Sequence, residues 1–215
     1  LMATSKNGAG MDTVKFPKYD VEINAAALSS AKAAGRDSVN IEDQIRVANE
    51  LIRGLEILNK GKDASTLQNE LKTILTRFAN SVLAGETAIA ETGQNKREEA
   101  FNALVTFLMS FASRTGTRDR VNIFTTNYDR VIEIGAELAG MHLLDRFVGN
   151  ISPIFRSSRL NLDMHYNPPG MRGEPRYLEG VARYTKLHGS VDWVQTPDGI
   201  RRIGVPSGAK SVEPF

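Results

Sequence analysis

From residue 40 onward, apolar residues recur at every third or fourth position, which is the spacing of an amphipathic helix. The pattern predicts a first helix that begins near Asn40, carries Glu42 and Asp43 in its first turn, and ends near Gly61. It predicts two further helices within residues 65–116. Apolar stripes of this kind are typical of core packing, so we predict a helical module over residues 40–115.

The N-terminal segment, residues 1–37, is rich in Gly, Ala, Ser, Lys and Asp. Its only strand-like run is Val14–Ile23, and Pro17 restricts part of that run to a sheet edge or a loop. We therefore expect this segment to consist mainly of loops.

The periodicity changes after the helical module. Val121–Thr125 is a short β-branched run that predicts a strand, and residues 129–140 predict a helix that ends at Gly140. The stretch from there to Gly180 is irregular and contains three prolines. A strand followed by a loop and a helix is typical of an α/β fold.

Residues 181–205 again have β character. They predict a strand, a sharp turn at His188-Gly189, a second strand, a Pro-Asp-Gly turn at residues 197–199, and a last strand. The pattern therefore predicts a set of strands that follows the strand-loop-helix unit.

Composition narrows the class of protein. With 215 residues, 41% of them hydrophobic and 24% charged, the chain matches one globular domain, or one domain with a sizeable insertion. The 27 basic and 25 acidic residues nearly balance, which gives no electrostatic reason to expect nucleic-acid binding. The absence of cysteine excludes disulfides, thiolate zinc sites and a cysteine nucleophile, and no stretch resembles a signal peptide or a membrane span. We therefore expect a cytoplasmic protein without nucleic-acid or membrane binding.

A polar cluster follows the strand predicted at residues 121–125. Its members are Thr125, Thr126, Asn127, Tyr128 and Asp129. In open α/β sheets, ligands bind beyond the carboxyl ends of the strands, and the N-terminus of a following helix suits a phosphate or carboxylate. However, Asn, Thr and Asp are also preferred helix N-caps, so helix capping stays open as the alternative explanation.

A second polar cluster lies in the sequence KLHGSVDW, residues 186–193. His188 is at a predicted strand end, and Gly189 permits a tight turn or a close approach of ligand. A structural role for His188 stays open, and we expect Asp192 and Trp193 to be a polar anchor and a packed aromatic.

The remaining histidines, His142 and His165, do not form a metal-ligand pattern with His188. The three residues are spaced 23 positions apart, whereas compact metal sites draw their ligands from closer spacings. We therefore expect no metal.

Together, the sequences IFTTNYDRVIE and KLHGSVDW resemble the sirtuin-like domains of bacterial NAD-consuming proteins. Those domains carry a Thr-x-Asn-x-Asp loop after a Rossmann strand and a Leu-His-Gly at a later strand end. Residues 40–42 also look like the start of their helical insertion. The resemblance implies an α/β fold with a Rossmann-like parallel sheet flanked by helices and a helical insertion. It implies one such domain over residues 1–215, which we expect to be part of a longer protein.

The resemblance also implies site residues. Asn127 and Asp129 match the residues that contact the nicotinamide end of NAD, and His188, followed by Gly189, matches the histidine next to the ribose. Thr125 opens the binding loop, and Thr126 stands where protein deacylases usually have glutamine. We therefore expect Asn127, His188 and Asp129 to be catalytic, and Thr125, Thr126, Asn127, Asp129 and Gly189 to bind NAD.

Two departures from the family pattern bear on the activity. Sirtuin deacylases insert a four-cysteine zinc module after the His-Gly, whereas this chain continues directly into SVDWVQTPDG, which disfavours deacylation. The family's Gly-Ala-Gly-x-Ser phosphate loop has only a weak counterpart at Gly8-Ala9-Gly10, which no apolar strand precedes and no serine follows at the expected place.

The resemblance implies an NAD⁺ glycohydrolase that gives nicotinamide and ADP-ribose, uses NAD as substrate, and depletes NAD in bacterial anti-phage defence. We expect a homo-oligomer, or further domains or subunits that sense infection. An NAD or ADP-ribose sensing module without turnover stays open, as does a protein ADP-ribosyltransferase or deacylase.

Overall fold

The structure is a computed structural model that describes residues 13–112, 120–159, 161–166 and 176–203. The chain forms two compact units, and the boundary between them falls inside helix α3 (Gly61–Glu91), between Gly85 and Glu86. The glycines at residues 8–10 and the helix end predicted at Gly116 lie outside the described residues.

The first unit is helical over its described residues. It contains α1 (Asp20–Ala33), α2 (Ile41–Ile57) and the larger part of α3 (Gly61–Glu91). Its core is built from apolar side chains of all three helices and the segment before them, including Phe16, Ile23, Ala27, Val47, Ile52, Leu67 and Leu71. The predicted apolar stripes of α2 and α3 are therefore confirmed as core-facing.

Helix α2 begins with a capping box, in which the Asn40 side chain accepts a hydrogen bond from the Asp43 N–H at 2.9 Å and Asp43 accepts one from the Asn40 N–H at 3.2 Å. Arg36 donates two hydrogen bonds to Asp43, and this guanidinium holds the pKa of the Asp43 carboxyl below its usual value. The predicted helix start at Asn40 is confirmed.

The prediction of a loop-dominated N-terminal segment is wrong, because residues 20–33 form helix α1. The helix begins where Asp20 accepts a hydrogen bond from the Phe16 N–H at 2.9 Å. Its buried positions are Ile23, Ala27 and Ala31, one on each successive turn. Two of the three are alanines, so the buried face carries little of the strong apolar periodicity by which helices are recognised, although alanine is the best helix former.

The second unit is built around a three-stranded parallel sheet. Its strands are β1 (Val121–Thr125), β7 (Val181–Lys186) and β2 (His142–Leu144), in the order β1-β7-β2. Thr125 at the end of β1 lies opposite Lys186 at the end of β7. The predicted α/β class with a parallel sheet is confirmed in this form, a mixed α/β structure.

Two helices cover one face of this sheet, α4 (Gln94–Ala112) and α5 (Val131–Leu138). Leu108 of α4, Ala136 of α5 and Ala182 of β7 share a buried cluster there. The predicted stop at Gly140 is confirmed, because Gly140 has a φ of 66° and the next N–H, from Met141, bonds to the Ala136 carbonyl at 2.8 Å.

A second, antiparallel sheet follows the order β3-β4-β9-β8. Its strands are β3 (Phe147–Val148), β4 (Ile154–Phe155), β8 (Trp193–Thr196) and β9 (Gly199–Arg202), and β5 (His165–Tyr166) pairs separately with β6 (Arg176–Tyr177). The β8-β9 hairpin turns at the predicted Pro-Asp-Gly sequence. The Trp193 ring lies 5.1 Å from the ring of Phe147, which confirms it as a packed aromatic. None of the helices in the described ranges is long and apolar enough to cross a bilayer.

Candidate functional site

The two polar clusters singled out in the sequence lie side by side. Because β1 and β7 are parallel neighbours, their carboxyl ends meet at the same edge of the sheet. The loop after β1, residues 126–129, and the loop after β7, residues 187–191, are joined by main-chain hydrogen bonds. Leu187 N–H donates to the Thr125 carbonyl at 2.9 Å, and Val191 N–H donates to the Tyr128 carbonyl at 3.0 Å. We call these the β1 loop and the β7 loop.

The outer surface of these loops presents an amide and an imidazole. Thr126, Asn127 and His188 are exposed. The Asn127 N–H donates to the Thr125 hydroxyl at 3.1 Å, which curls the β1 loop immediately after the strand. The Tyr128 and His188 rings lie 6.2 Å apart, so one aromatic ring from each loop contributes to the same surface.

Asp129 is in a different environment from Asn127, because it is only 3% exposed. One carboxylate oxygen, Oδ1, accepts a hydrogen bond from the Val131 N–H at 3.1 Å, at the start of α5. The other, Oδ2, is buried and accepts no hydrogen bond from the described residues. The side chain therefore takes part in starting the helix, as the capping alternative expected, while half of its carboxylate stays available to a donor.

The sequence analysis missed Lys186, the last residue of β7, whose side chain is only 1% exposed. Its ammonium lies 3.0 Å from Glu133 Oε1 and 3.0 Å from the Ser190 hydroxyl, and it also donates to the main-chain carbonyl of Asp129. One buried cation thus connects the β1 loop, the β7 loop and helix α5. Alternation along β7 was the available signal, because Ala182, Tyr184 and Lys186 share the face that packs against the helices.

Glu133 and Tyr184 complete this buried group. The Tyr184 hydroxyl donates to Glu133 Oε2 at 3.0 Å, so Glu133 accepts from both a phenol and an ammonium. Burial raises the pKa of the Glu133 carboxyl, and the positive charge of Lys186 opposes that rise. Burial and the adjacent Glu133 also raise the pKa of Tyr184 far above its usual value, which keeps this hydroxyl protonated as a donor.

The start of α5 is also fixed by Glu86, another residue that the sequence did not single out. Its carboxylate accepts from the Arg130 N–H at 2.6 Å and from the Arg130 guanidinium at 2.6 Å. The Glu86 side chain is 8% exposed, so this pair is largely shielded from water. The Glu86 carboxylate therefore binds both the main chain and the side chain of Arg130, the residue that follows Asp129.

Gly189, predicted to bind ligand, has a φ of 92° in the β7 loop. A Cβ atom there would meet Trp193 Cε3 at 3.7 Å, an ordinary contact. The left-handed backbone, and not a lack of space, therefore favours glycine at this position.

His142 and His165 lie outside the site loops, on β2 and β5. In the part of the chain that the structure describes, no three His, Asp or Glu side chains are grouped so that they would hold a metal ion. Asp192 is 7% exposed and lies 3.5 Å from Arg202, which agrees with its expected role as a polar anchor.

No protein-family model matches the chain, and the curated proteins include no significant match to it. The function of the chain therefore has to be inferred from the two site loops themselves.

Proposed function

We propose that this chain is a sirtuin-like NAD⁺ glycohydrolase with a Rossmann-like second unit, which cleaves the nicotinamide–ribose bond to give nicotinamide and ADP-ribose. One observation supports this most directly. The Thr125–Asp129 segment and His188-Gly189 lie at the same carboxyl edge of a parallel sheet, joined by main-chain hydrogen bonds. That edge is where open α/β sheets bind nucleotides, and these are the residues whose pattern resembles the NAD-consuming family.

The reaction requires the site to accept a proton from the attacking water, to orient the reacting groups, and to stabilise the positive charge that develops on the ribose. A water oxygen forms a bond to the anomeric carbon of the ribose while the bond to the nicotinamide nitrogen breaks, and the bonding electrons neutralise the departing pyridinium. In the proposed site, His188 accepts the proton of the water, and Asn127 orients the water or a ribose hydroxyl. The Asp129 carboxylate, whose Oδ2 has no donor among the described residues, orients the carboxamide or stabilises positive charge on the ribose.

The environment of each group suits its proposed role. Asn127 and His188 are exposed and therefore reachable by a dinucleotide, whereas Asp129 is buried beside them. An ionised carboxylate in a poorly solvated position interacts more strongly with a developing cation than an exposed one would. Lys186 fixes the main-chain carbonyl of Asp129 and thereby the position of this loop.

The test is nicotinamide release from NAD⁺, followed by chromatography, for the parent chain and for Asn127→Ala and His188→Ala. We expect His188→Ala to lower the rate about 10²- to 10⁴-fold, the usual contribution of a general base, and Asn127→Ala to lower it further. His142→Ala and Asn150→Ala are matched controls, because both residues are exposed and lie outside the two loops. Circular dichroism and thermal unfolding establish that each variant folds.

Parent-level nicotinamide release by both folded site variants would overturn the proposal. NAD⁺ binding in a calorimeter without nicotinamide release would indicate a sensing module instead. ADP-ribose or acyl-group changes on proteins, detected by mass spectrometry after incubation with NAD⁺, would indicate a transferase or deacylase.

The wider role is part of the same proposal. By resemblance to bacterial NAD-consuming proteins, the chain acts in anti-phage defence, where NAD depletion follows detection of infection. Homo-oligomerisation, or association with a sensing domain or subunit, accompanies that role.

A further inference from the structure

A cavity of about 400 Å³ lies against the three-stranded parallel sheet, on the face opposite to α4 and α5. Strand alternation explains its position. Val121 and Ile123 of β1 pack with the helices, so Asn122 and Phe124 are on the other face. The cavity is lined by these two residues together with Arg146, Arg159, Asn161 and Arg183, and we call it the arginine cavity.

The charge of the arginine cavity is strongly positive. Three guanidinium groups line it, and none of the lining residues that the structure describes is acidic. Asp163 is paired with the lining residue Arg183 at 3.7 Å, but it is shared, because it also lies 2.8 Å from Arg120. The negative charge of Asp163 is therefore shared between Arg120 and Arg183, and Arg146 and Arg159 add two further positive charges to the cavity.

Arg146 and Arg159 have no carboxylate partner among the described residues. Arg146 contacts neutral groups, the Thr185 hydroxyl at 3.3 Å and the Phe155 ring at 5.9 Å. Arg183 adds a buried Nε that has no hydrogen-bond partner in the described part of the chain. Guanidinium groups with unfilled donors around one cavity are suited to bidentate recognition of phosphate.

The other lining groups are suited to a nucleoside. The Phe124 ring, on the edge strand β1, is 65% exposed and offers a flat apolar surface for a base. Asn122 and Asn161 supply amide groups near that ring. The volume is in the range of small-ligand pockets and accommodates one mononucleotide.

We propose that the arginine cavity binds a purine nucleoside diphosphate, with its phosphates on Arg146, Arg159 and Arg183 and its base on Phe124. The opposite face of the sheet carries the buried group of Lys186, Glu133 and Asp129. The arginine cavity is therefore a separate site from the two site loops. The proposal does not depend on NAD⁺ cleavage.

The test is calorimetric titration of the chain with ADP, GDP, adenosine and pyrophosphate at fixed ionic strength. We expect both diphosphates to bind, because stacking on a phenylalanine does not select between purines. We expect at least tenfold weaker binding of adenosine, which lacks phosphates, and of pyrophosphate, which lacks the base. GDP is informative because, unlike ADP, it is not a fragment of NAD⁺.

The matched variants are Arg159→Gln and Arg156→Gln. Both arginines are exposed and close in sequence, but only Arg159 lines the cavity. Arg159→Gln and Phe124→Ala are expected to weaken GDP binding at least tenfold, whereas Arg156→Gln, Asn127→Ala and His188→Ala leave it unchanged. GDP binding that is absent, that survives Arg159→Gln and Phe124→Ala, or that is lost in the site-loop variants would overturn the proposal.

Discussion

Lys186 Nζ lies 3.0 Å from Glu133 Oε1 in an ion pair whose lysine side chain is only 1% exposed. The same ammonium donates to the Asp129 carbonyl of the β1 loop and to Ser190 of the β7 loop. Because two loops and one helix share a single buried cation, their relative positions depend on one side chain. A buried charge of this kind is costly to leave unpaired, so either partner should be sensitive to substitution.

Replacing Lys186 by methionine keeps the length of the side chain but leaves Glu133 without its cation. We expect the free energy of unfolding to fall by about 3 kcal/mol, near the lower end for a broken buried pair because Glu133 keeps some contact with water. Nicotinamide release should fall as well, since the β1 loop loses its fixed carbonyl. Urea denaturation of Lys186→Met is the measurement.

The control is Lys96→Met, an exposed lysine of the same unit, whose effect should stay within about 0.5 kcal/mol. The double variant Lys186→Met/Glu133→Leu should lose less stability than the sum of its single variants, because it removes both charges together. Equal urea midpoints for Lys186→Met and Lys96→Met would contradict the stabilising role of the buried Lys186–Glu133 pair.

The sequence predicted the parts of the site that depend on local patterns. The run Val121–Thr125 is β-branched and ends at polar residues, and the run ending at Lys186 precedes a His-Gly turn, so both strand ends were recognised. Their adjacency followed from the resemblance and agrees with the parallel pairing of β1 and β7. The NAD-cleaving activity and the roles of Asn127, Asp129 and His188 stay predictions.

The parts that were missed depend on contacts distant in sequence. Lys186 contacts Asp129 and Glu133 more than 50 residues away, so strand alternation indicated the face on which it lies, but no local pattern indicated its partners. Glu86 reaches Arg130 across 44 positions for the same reason. Helix α1 was missed for the opposite reason, because its signal was local propensity without a strong apolar stripe.

The free energy of unfolding should depend on pH, because the pKa of the Glu133 carboxyl is shifted in the native state. Burial raises the pKa of this carboxyl above its usual 4.5, and this effect outweighs the lowering by Lys186. The native state therefore binds the proton more tightly than the unfolded state. The resulting stabilisation is fully present below about pH 4.5 and is lost as the pH rises through the raised native value.

The measurement is the free energy of unfolding of the parent and of Glu133→Gln between pH 4 and pH 7. We expect the parent to lose stability relative to the variant as the pH rises above about 4.5, with a slope approaching about 1.4 kcal/mol per pH unit at most. A glutamine side chain does not titrate over this window, so the difference between the two curves reports the Glu133 carboxyl. A parent that gains stability relative to Glu133→Gln on raising the pH would mean that Lys186 outweighs burial.

Gly135 provides a test of how α5 is held against α4. A Cβ atom at this position would lie 2.5 Å from Leu104 Cδ2 and 2.7 Å from Leu104 Cγ, so Leu104 has to move to admit a methyl group. Overpacking of this kind costs about 1–3 kcal/mol, which exceeds the gain of about 1 kcal/mol from replacing a helical glycine by alanine. We therefore expect Gly135→Ala to lower the thermal midpoint of the second unit.

Gly54→Ala is the matched control, because Gly54 is also within a helix but a Cβ atom there meets nothing within 4 Å. It should raise stability by about 1 kcal/mol, opposite in sign to Gly135→Ala. In a Leu104→Ala background, both contacts below 3 Å are removed and Leu108 Cδ1 at 3.1 Å remains, so Gly135→Ala should there destabilise less than it does in the parent. If Gly135→Ala alone stabilises as much as Gly54→Ala, Leu104 yields freely, and the close packing of α4 on α5 does not determine where α5 presents Glu133.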